Sequence, residues 1–598
     1  MAEEKKVILS LKDVEVKFNV RGRILTAIRR VSLDIYDHES LAIVGESGSG
    51  KSVLTKTFAG MLESNGFISN GTIIFSDDDL SKTDVVLDSK LEAELQTARD
   101  MLNRHSRLER GASYYNKYLA KQEDIEHAKS LSKEDEEAYA KTIKELKDKA
   151  VDLGNYVQTL DRRDAEDKLR MAESEASIQA LNAQIEALSK EMSDKAKARL
   201  DAYQKQTDLV AADKAELDEL LALSKTAIDT PDVAGNPNGL SDAVLERNEI
   251  IAREIILSIG RYSSRDQKKF MAILDKGFEE ACRTGRDLDD PEVRNDIFDD
   301  ATFRVRYESY DEATKTLHGY AIIDCAKVKR AGDWQQIRGR KIATVFQDPM
   351  TSLNPVITIG KQIMTVILKH QKCSQEEARK RTLDIMDKVG IPEPEQRFDD
   401  YPFQYSGGMR QRIVIAIALS CQPRILICDE PTTALDVTIQ AQILELIKQL
   451  QKDLGFTVVY ITHDLGVVAN VAERVAVLYA GQIVEIGTVE EIFYEPRHPY
   501  TWALLSSLPQ LSEKGTDLFS IPGTPPSLYN KITGDAFAPR NQYAMAIDLQ
   551  EEPPMFQISE THFAKTWLCD PRSPKVDSPA NIHDLHEKMK RSHVEIED

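Results

Sequence analysis

The sequence predicts an α/β fold built around a phosphate-binding loop, interrupted by a mainly helical insertion and followed by a small C-terminal extension. Three observations carry that prediction. The segment Gly45-Glu46-Ser47-Gly48-Ser49-Gly50-Lys51-Ser52 matches G-x-x-x-x-G-K-[ST] and lies between an apolar run at 41–44 and a helical one at 53–60. A second apolar run, Ile425-Leu426-Ile427-Cys428, ends in two acids, Asp429 and Glu430. Between them the composition shifts to Ala, Glu, Lys, Leu, Asp and Gln over roughly 250 residues, enough for a domain of its own.

The first part of the phosphate-binding domain is expected over 1–82. Val7-Ile8-Leu9-Ser10-Leu11, Val14-Glu15-Val16-Lys17-Phe18 and Val31-Ser32-Leu33-Asp34-Ile35 alternate as half-buried strands do. Leu41-Ala42-Ile43-Val44 reads as a buried strand feeding the loop. Glycines there let backbone N–H groups close around phosphate oxygens, and the following helix adds a positive dipole end. Gly45, Ser47, Gly48, Ser49, Gly50 and Val53 are therefore candidate nucleotide contacts, with Lys51 reaching the β- and γ-phosphates and Ser52 ligating Mg²⁺. Gly71-Thr72-Ile73-Ile74-Phe75 reads as one more strand.

The insertion is expected over 83–332. Helical regions are read at 88–128, at about 163–226 and at 241–283. In the second, Ile178, Leu181, Ile185, Leu188 and Met192 recur at spacings of three and four, a coiled-coil-like seam about two heptads long. A continuous helix there would run about 96 Å at 1.5 Å per residue. The run Thr230-Pro231-Asp232-Val233-Ala234-Gly235-Asn236-Pro237-Asn238-Gly239 must break it. Val244, Ile251, Ile255 and Ile259 share one face of the third region. Alternation at Phe303-Arg304-Val305-Arg306-Tyr307 and Tyr320-Ala321-Ile322-Ile323 reads as two strands that return the chain to its parent sheet. The insertion is thus a helical hairpin or small bundle on a β-stalk, the alternative being a loosely packed charged segment.

The domain resumes over 333–510. Residues 356–400 and 437–455 read as helical, Thr457-Val458-Val459-Tyr460-Ile461 as a buried strand before His463, and Val475-Ala476-Val477-Leu478-Tyr479 as a strand before a turn at 480–482. A strand ending at Asp429 brings that acid to Mg²⁺ beside the phosphate loop and leaves Glu430 near the γ-phosphate, where it can polarise an attacking water. Proline and glycine punctuate the small extension at 511–598.

These motifs resemble those of the ATP-binding subunits of ATP-binding-cassette (ABC) transporters. The resemblance rests on the loop at 45–52, a Q-loop glutamine at Gln347, the signature Ser406-Gly407-Gly408-Met409-Arg410-Gln411, the acids Asp429 and Glu430, a D-loop at Ala434-Leu435-Asp436, and a switch histidine in Tyr460-Ile461-Thr462-His463-Asp464. Phe346-Gln347-Asp348-Pro349-Met350-Thr351-Ser352-Leu353-Asn354-Pro355, Glu430-Pro431-Thr432-Thr433-Ala434-Leu435-Asp436-Val437-Thr438 and His498-Pro499-Tyr500-Thr501-Trp502-Ala503-Leu504-Leu505 resemble the oligopeptide/dipeptide importer branch. The resemblance covers roughly 1–82 and 333–575, not the middle; Lys51 and Gln347 are 296 positions apart where the family has a few dozen.

The resemblance implies a RecA-like core, an antiparallel β subdomain and a helical subdomain. It implies two cassettes paired head to tail, so that Ser406, Gly407, Gly408 and Gln411 of one chain face the γ-phosphate held by Lys51 of the other. Glu430 would be the general base, His463 the γ-phosphate sensor, Gln347 a link to Mg²⁺ and the attacking water, and Asp436 a tie between the two sites. Phe18 is the candidate to stack on adenine, or is core. The implied partners are a second ATPase subunit, two membrane permeases and, indirectly, a peptide-binding protein, with the chain peripheral on the cytoplasmic face of a bacterial cell membrane. Many relatives in this branch carry four cysteines that hold an iron–sulfur cluster. Here those positions hold Asp535, Asn541, Asp548 and Thr566, so no cluster is expected.

Composition excludes several other classes. A net charge of −21 over 598 residues argues against a broad nucleic-acid surface or a polybasic membrane anchor. No run approaches the roughly 18 apolar residues of a membrane span, and Met1-Ala2-Glu3-Glu4-Lys5-Lys6 has no signal-peptide core. Any transport role therefore needs separate membrane subunits. The six cysteines are scattered without C-x-x-C pairs, which suits a reducing compartment with neither disulfides nor a zinc site. Two other readings stay open: a chromosome-maintenance ATPase of the SMC type, whose insertion however follows the Q-loop glutamine, and an ABC importer for nickel or another small solute. For the insertion the alternatives are a decoration packed on the cassette or a docking arm for a partner.

Overall fold

The structure, a computed structural model, describes residues 5–159, 165–231, 239–259, 264–298, 303–328, 331–433, 435–507, 521–576, 579 and 582. The chain divides into two compact units: Met1–Thr83, Asp300–Val305 and Tyr320–Asp598 form the first, Asp84–Asp299 and Arg306–Gly319 the second. The strands in chain order are β1 (Val7–Val20), β2 (Arg23–Tyr36), β3 (Ser40–Val44), β4 (Gly66–Phe75), β5 (Lys82–Val86), β6 (Phe303–Asp311), β7 (Thr316–Asp324), β8 (Ile342–Val345), β9 (Ile425–Asp429), β10 (Thr457–Thr462), β11 (Arg474–Tyr479), β12 (Gln482–Thr488), β13 (Phe556–Gln557) and β14 (Phe563–Ala564).

In the first unit β1 lies antiparallel between β2 and β4. The short runs expected at 7–18 and 31–35 are parts of these two longer strands, bent by bulges rather than broken by turns. At one bulge Asp13 and Arg30 take φ of 52° and 51°, and both Arg30 contacts to the Asp13 carboxylate are 2.8 Å. Gly71 crosses the bulge with φ +89°, where a Cβ would lie 2.5 Å from the carbonyl oxygens of Lys12 and Asp13. Residues 320–328, read from sequence as part of the insertion, lie in the first unit because Ile323 and Asp324 pair with Phe75 and Ile74 of β4.

The larger sheet runs β13-β14-β12-β11-β3-β10-β9-β8, parallel from β11 to β8. Every residue of β3 and β10 is buried, which is why these strands read as continuous apolar runs and not as alternation. One core packs Leu54 and Phe58 of the helix Lys51–Phe58 with β1, β2 and one face of the parallel sheet. The other face carries a second core with Ile359, Ile363, Met386, Ile413, Ile447, Tyr500 and Phe537. The helical region expected at 356–400 is three helices, Ile359–His370, Gln375–Lys388 and Pro394–Arg397. Ser374 restarts it as an N-cap, accepting from Glu377 N–H at 3.2 Å, and Gly390 with φ +74° stops the second helix.

The second unit is mainly helical. The region expected at 88–128 is broken by the 3₁₀ turn Arg107–Gly111 between Ser89–Ser106 and Ala112–Lys129, and at Gly111 a Cβ would meet Ser224 Oγ at 2.6 Å. The single helix expected at 163–226 is two, Ala165–Lys205 and Thr207–Asp229, meeting at Gln206; residues 163 and 164 lie outside the described residues. The break is local: the helix Ala112–Lys129 runs along both pieces, with Lys121 paired to Asp213 and Glu216 and Lys129 over the Tyr203 ring, and across the break Tyr203 donates to Asp213 at 2.7 Å. In one straight helix those residues would be about 15 Å apart along the axis. Lys133–Thr159 packs on Ala165–Lys205, with Tyr139 donating to Glu191 at 2.8 Å. Along the second of these helices Ile178, Leu181, Ile185, Leu188 and Met192 are half-buried among exposed neighbours. Of the breaking run 230–239, residues 232–238 lie outside the described residues. The region at 241–283 is Asp242–Ile259 and Ser264–Thr284, residues 260–263 being outside the described residues. Buried Ile251, Ile255 and Ile259 share this core with a polar knot, in which Asn248 donates to Asn103 Oδ1 and Ser106 Oγ at 3.0 Å each.

Candidate functional site

Three adjacent parallel strands end level with one another. Val44 of β3 is opposite Thr462 of β10, and Ile461 of β10 is opposite Asp429 of β9. Strands of equal register deliver their following residues, Gly45, His463 and Glu430, to one crevice at the carboxyl edge of the sheet, where α/β folds bind ligands. β8 lies beside β9 with Val345 opposite Cys428, which brings Gln347 to the same edge.

The loop after β3 wraps the N-terminus of the helix Lys51–Phe58. Gly45 has no alternative residue: a Cβ there would lie 2.2 Å from Leu478 O. Ser47 and Gly48 are exposed, Ser49 is buried, and Ser49 O accepts from Gly481 N–H at 2.8 Å. Lys51 Nζ donates to the loop's own carbonyls, Gly45 O at 2.7 Å and Glu46 O at 3.0 Å. Burial lowers the Lys51 pKa, opposed by the charges of Glu430, Asp429 and Glu46. Ser52 Oγ donates to Asp429 Oδ1 at 3.2 Å, and burial raises the Asp429 pKa while Ser52 lowers it and Glu430 raises it further. A hydroxyl and a half-buried carboxylate side by side, beside an N–H-lined loop, fit Mg²⁺, which takes one or two carboxylates and completes its shell with phosphate and water. Among the described residues no group of three His, Cys, Asp or Glu side chains could hold a metal ion.

Glu430 is the hub of the crevice. Its N–H donates to Ile461 O at 2.9 Å, and its φ is 47°. Its Oε2 accepts from Gln347 Nε2 at 2.8 Å and from Thr433 Oγ1 at 3.1 Å, and its Oε1 is 3.1 Å from His463 Nδ1. Three side chains thus orient one carboxylate.

The signature lies elsewhere on the first unit. Ser406 caps the helix Gly407–Leu419, accepting from Met409 N–H, and Ser406 and Gly407 are exposed. Gly408 is closed in by Ile439, 2.7 Å from where its Cβ would stand. Gln411, expected among the nucleotide contacts, is fully buried and donates to Pro431 O at 2.7 Å. It therefore joins the signature helix to the loop after Glu430 instead of presenting its amide outward. Asp436 caps Val437–Leu454 through Ile439 N–H at 3.1 Å; Ala434 of the D-loop lies outside the described residues. Phe18 is half-buried near the end of β1, its ring against Gly66 of β4, and Val53 lies on the helix after the loop.

One set of partners was not anticipated from the sequence. Arg540 forms a bidentate pair with Glu46 of the phosphate loop, at 2.8 and 3.0 Å, and Tyr500 Oη accepts from Glu46 N–H at 2.7 Å. The sequence signals for it are slight: an acid inside a phosphate loop, and an arginine in the frame 537–540.

The chain matches the ABC transporter family over residues 28–252 and 312–433. It belongs to that family. Residues 484–547 of the cassette also match the oligopeptide/dipeptide transporter C-terminal region. The cassette is 66% identical over 258 residues to the oligopeptide transport ATP-binding protein AmiE of Streptococcus pneumoniae, covering 43% of this chain and 73% of that protein. Over 251 residues it is 61% identical to the oligopeptide transport ATP-binding protein OppD of Bacillus subtilis, covering 42% of this chain and 70% of OppD. It is also 61% identical over 251 residues to the dipeptide transport ATP-binding protein DppD of Lactococcus lactis, covering 42% of this chain and 72% of DppD. No helix of the described residues is long and apolar enough to cross a membrane.

Proposed function

We propose that this cassette is the ATP-hydrolysing subunit of an importer for oligopeptides or dipeptides, peripheral on the cytoplasmic face of the membrane beneath two permeases. The observation that carries the proposal is the convergence of Lys51, Ser52, Asp429, Glu430, Gln347 and His463 on one strand edge, in a chain with peptide-transport ATP-binding proteins as relatives.

The loop N–H groups and Lys51 bind the phosphates. Ser52 and Asp429, with Gln347, would hold Mg²⁺, which when bound would supply positive charge to the phosphate oxygens. Glu430 takes the proton of the attacking water, its carboxylate held in place by Gln347, Thr433 and His463. The exposed Ser406 and Gly407, at a helix N-terminus, suit phosphate contact on a second cassette. Asp436 ties the two sites together from the cap of the helix whose Ile439 closes on Gly408. The helices Lys133–Thr159 and Ala165–Lys205 act as a coiled-coil-like arm.

The test is purification from native membranes through a tag on this chain, with mass spectrometry of what stays bound. A second cassette and two multi-span permeases are expected, with a peptide-binding protein in substoichiometric amount. DNA-associated or ribosomal partners without a permease would overturn the reading.

A further inference from the structure

The phosphate loop carries an acid where it must accept a polyanion. Glu46 directly follows Gly45, and its carbonyl is one of the two that Lys51 contacts. An uncompensated carboxylate in the loop would oppose triphosphate binding. It is compensated by a residue 494 positions away.

Arg540, from the C-terminal extension, is almost wholly buried, its side chain 5% exposed against 24% for Glu46. Its Nη1 donates to Glu46 Oε2 at 2.8 Å and to Tyr479 Oη at 3.2 Å; its Nη2 donates to Glu46 Oε1 at 3.0 Å and to Ile521 O at 3.4 Å; its Nε donates to Pro522 O at 2.9 Å. All three guanidinium nitrogens are used, which fixes the plane of the group. Aromatic rings wall it in: Tyr479 and Tyr500 are 4.5 Å apart between centroids, and Phe537 lies 5.2 Å and 5.3 Å from them. Tyr500, itself fully buried, holds the backbone N–H of Glu46 through its Oη. Side chain and backbone of one loop residue are thus both held from the C-terminal part of the chain, by Arg540 and Tyr500.

We propose that Arg540 is a positioning residue for nucleotide binding: it neutralises the Glu46 carboxylate and holds it in place, so that a loop carrying Glu46 binds ATP well only with the C-terminal extension docked. The inference rests on the ATP-binding reading above. Coupling of this kind is reciprocal, so nucleotide in turn holds the extension down.

The experiment is equilibrium binding of ATP to the full chain with the variants Arg540→Met, Glu46→Gln and the double variant. Arg540→Met leaves Glu46 half-buried without its counter-charge. Its Kd for ATP is expected to rise about tenfold at low salt and by less at high salt, where the charge is screened. Glu46→Gln/Arg540→Met is expected to return most of that affinity, because the same packing is lost but the carboxylate is gone. Unchanged affinity in Arg540→Met overturns the proposal. So does a double variant as weak as Arg540→Met, which would make Arg540 a packing residue only. Failure of the unmodified chain to bind ATP would instead sink the ATP-binding reading on which the proposal rests.

Discussion

Replacing Glu430 with Gln separates hydrolysis from binding, and the geometry around the carboxylate sets how cleanly. The carboxylate has two jobs that an amide can divide. Oε2 accepts from Gln347 and Thr433, at 2.8 and 3.1 Å, and the amide oxygen of the substituted side chain can accept from both. Oε1 faces His463 Nδ1 at 3.1 Å, and the new amide NH₂ can donate to that nitrogen when the ring carries its proton on Nε2. The hydrogen bonds survive, so folding stability should change by less than about 1 kcal/mol. What is lost is the basic lone pair. A positioned general base is worth roughly 10²- to 10⁴-fold in rate, or about 3–5 kcal/mol of activation free energy. The assay is phosphate release, with equilibrium ATP binding measured on the same preparation. In Glu430→Gln turnover should fall at least about a hundredfold with the ATP Kd within about threefold of the parent. Hydrolysis near the parent rate would refute the role given to Glu430. Loss of ATP affinity along with turnover would refute the division of labour, by making Glu430 part of the binding machinery.

Two further outcomes follow from buried polar groups. Burial raises the Asp535 pKa from an ordinary 3.8 to about 6, with Asp548 adding to the rise and the Phe537 N–H opposing it. The folded chain therefore holds a proton that the unfolded chain has released between pH 3.8 and about 6. Stability falls as pH rises through that window, and the full cost above it is on the order of 3 kcal/mol. Asp535→Asn should raise the melting temperature at pH 7.5 and lose the advantage as pH falls towards 4; an equal effect at both pH values would contradict the assignment. In the second unit, Asn248→Leu strands Asn103 in the core and leaves Ser106 to Arg247, at a cost of about 1–3 kcal/mol. Hydrogen exchange by mass spectrometry should quicken over 89–106 and 242–259, and unchanged protection there would count against the polar knot as a stabilising element.

How much of this was legible depends on whether the signal is local. The phosphate loop is contiguous, and its glycines, lysine and serine announce themselves. Asp429, Glu430 and His463 were legible for a different reason: each ends or follows a buried strand, so an apolar run of five or six residues points straight at it. Gln347 was placed by its neighbours in sequence, but its bond to Glu430 was not visible. Element types in the insertion could be read from heptad spacing, whereas the breaks at Gln206 and Arg107–Gly111 could not. No proline marks either, and each is set by what the chain packs against, Tyr203 on Asp213 in one case and Gly111 under Ser224 in the other. The bulged strands β1 and β2 were split for the opposite reason, since residues at positive φ in a bulge look like turn residues when read alone. That Gln411 is buried with its amide on Pro431 O was not legible, because a motif gives a residue's address and not the direction of its side chain.

In the C-terminal extension the four positions at which the resemblance places cluster cysteines make local hydrogen bonds. At Asp535, Asn541, Asp548 and Thr566 each side chain serves a backbone N–H nearby. Asp535 accepts from Phe537, Asn541 from Tyr543, Asp548 from Met545 and Thr566 from Leu568, at 3.0, 2.9, 2.6 and 3.3 Å. Side-chain oxygens accepting from backbone N–H groups one to three residues away hold tight turns. Asp535 differs from the other three: among the described residues its Oδ2 is buried with no hydrogen-bond partner. It sits two residues before Phe537, whose ring packs on Tyr479 and Tyr500 beside Arg540. The most costly charge of these four positions therefore adjoins the segment that carries Arg540 to the phosphate loop. Relieving it by Asp535→Asn should firm the docking of Arg540 on Glu46 and leave the bond itself untouched, which makes the two sets of variants independent probes of one brace.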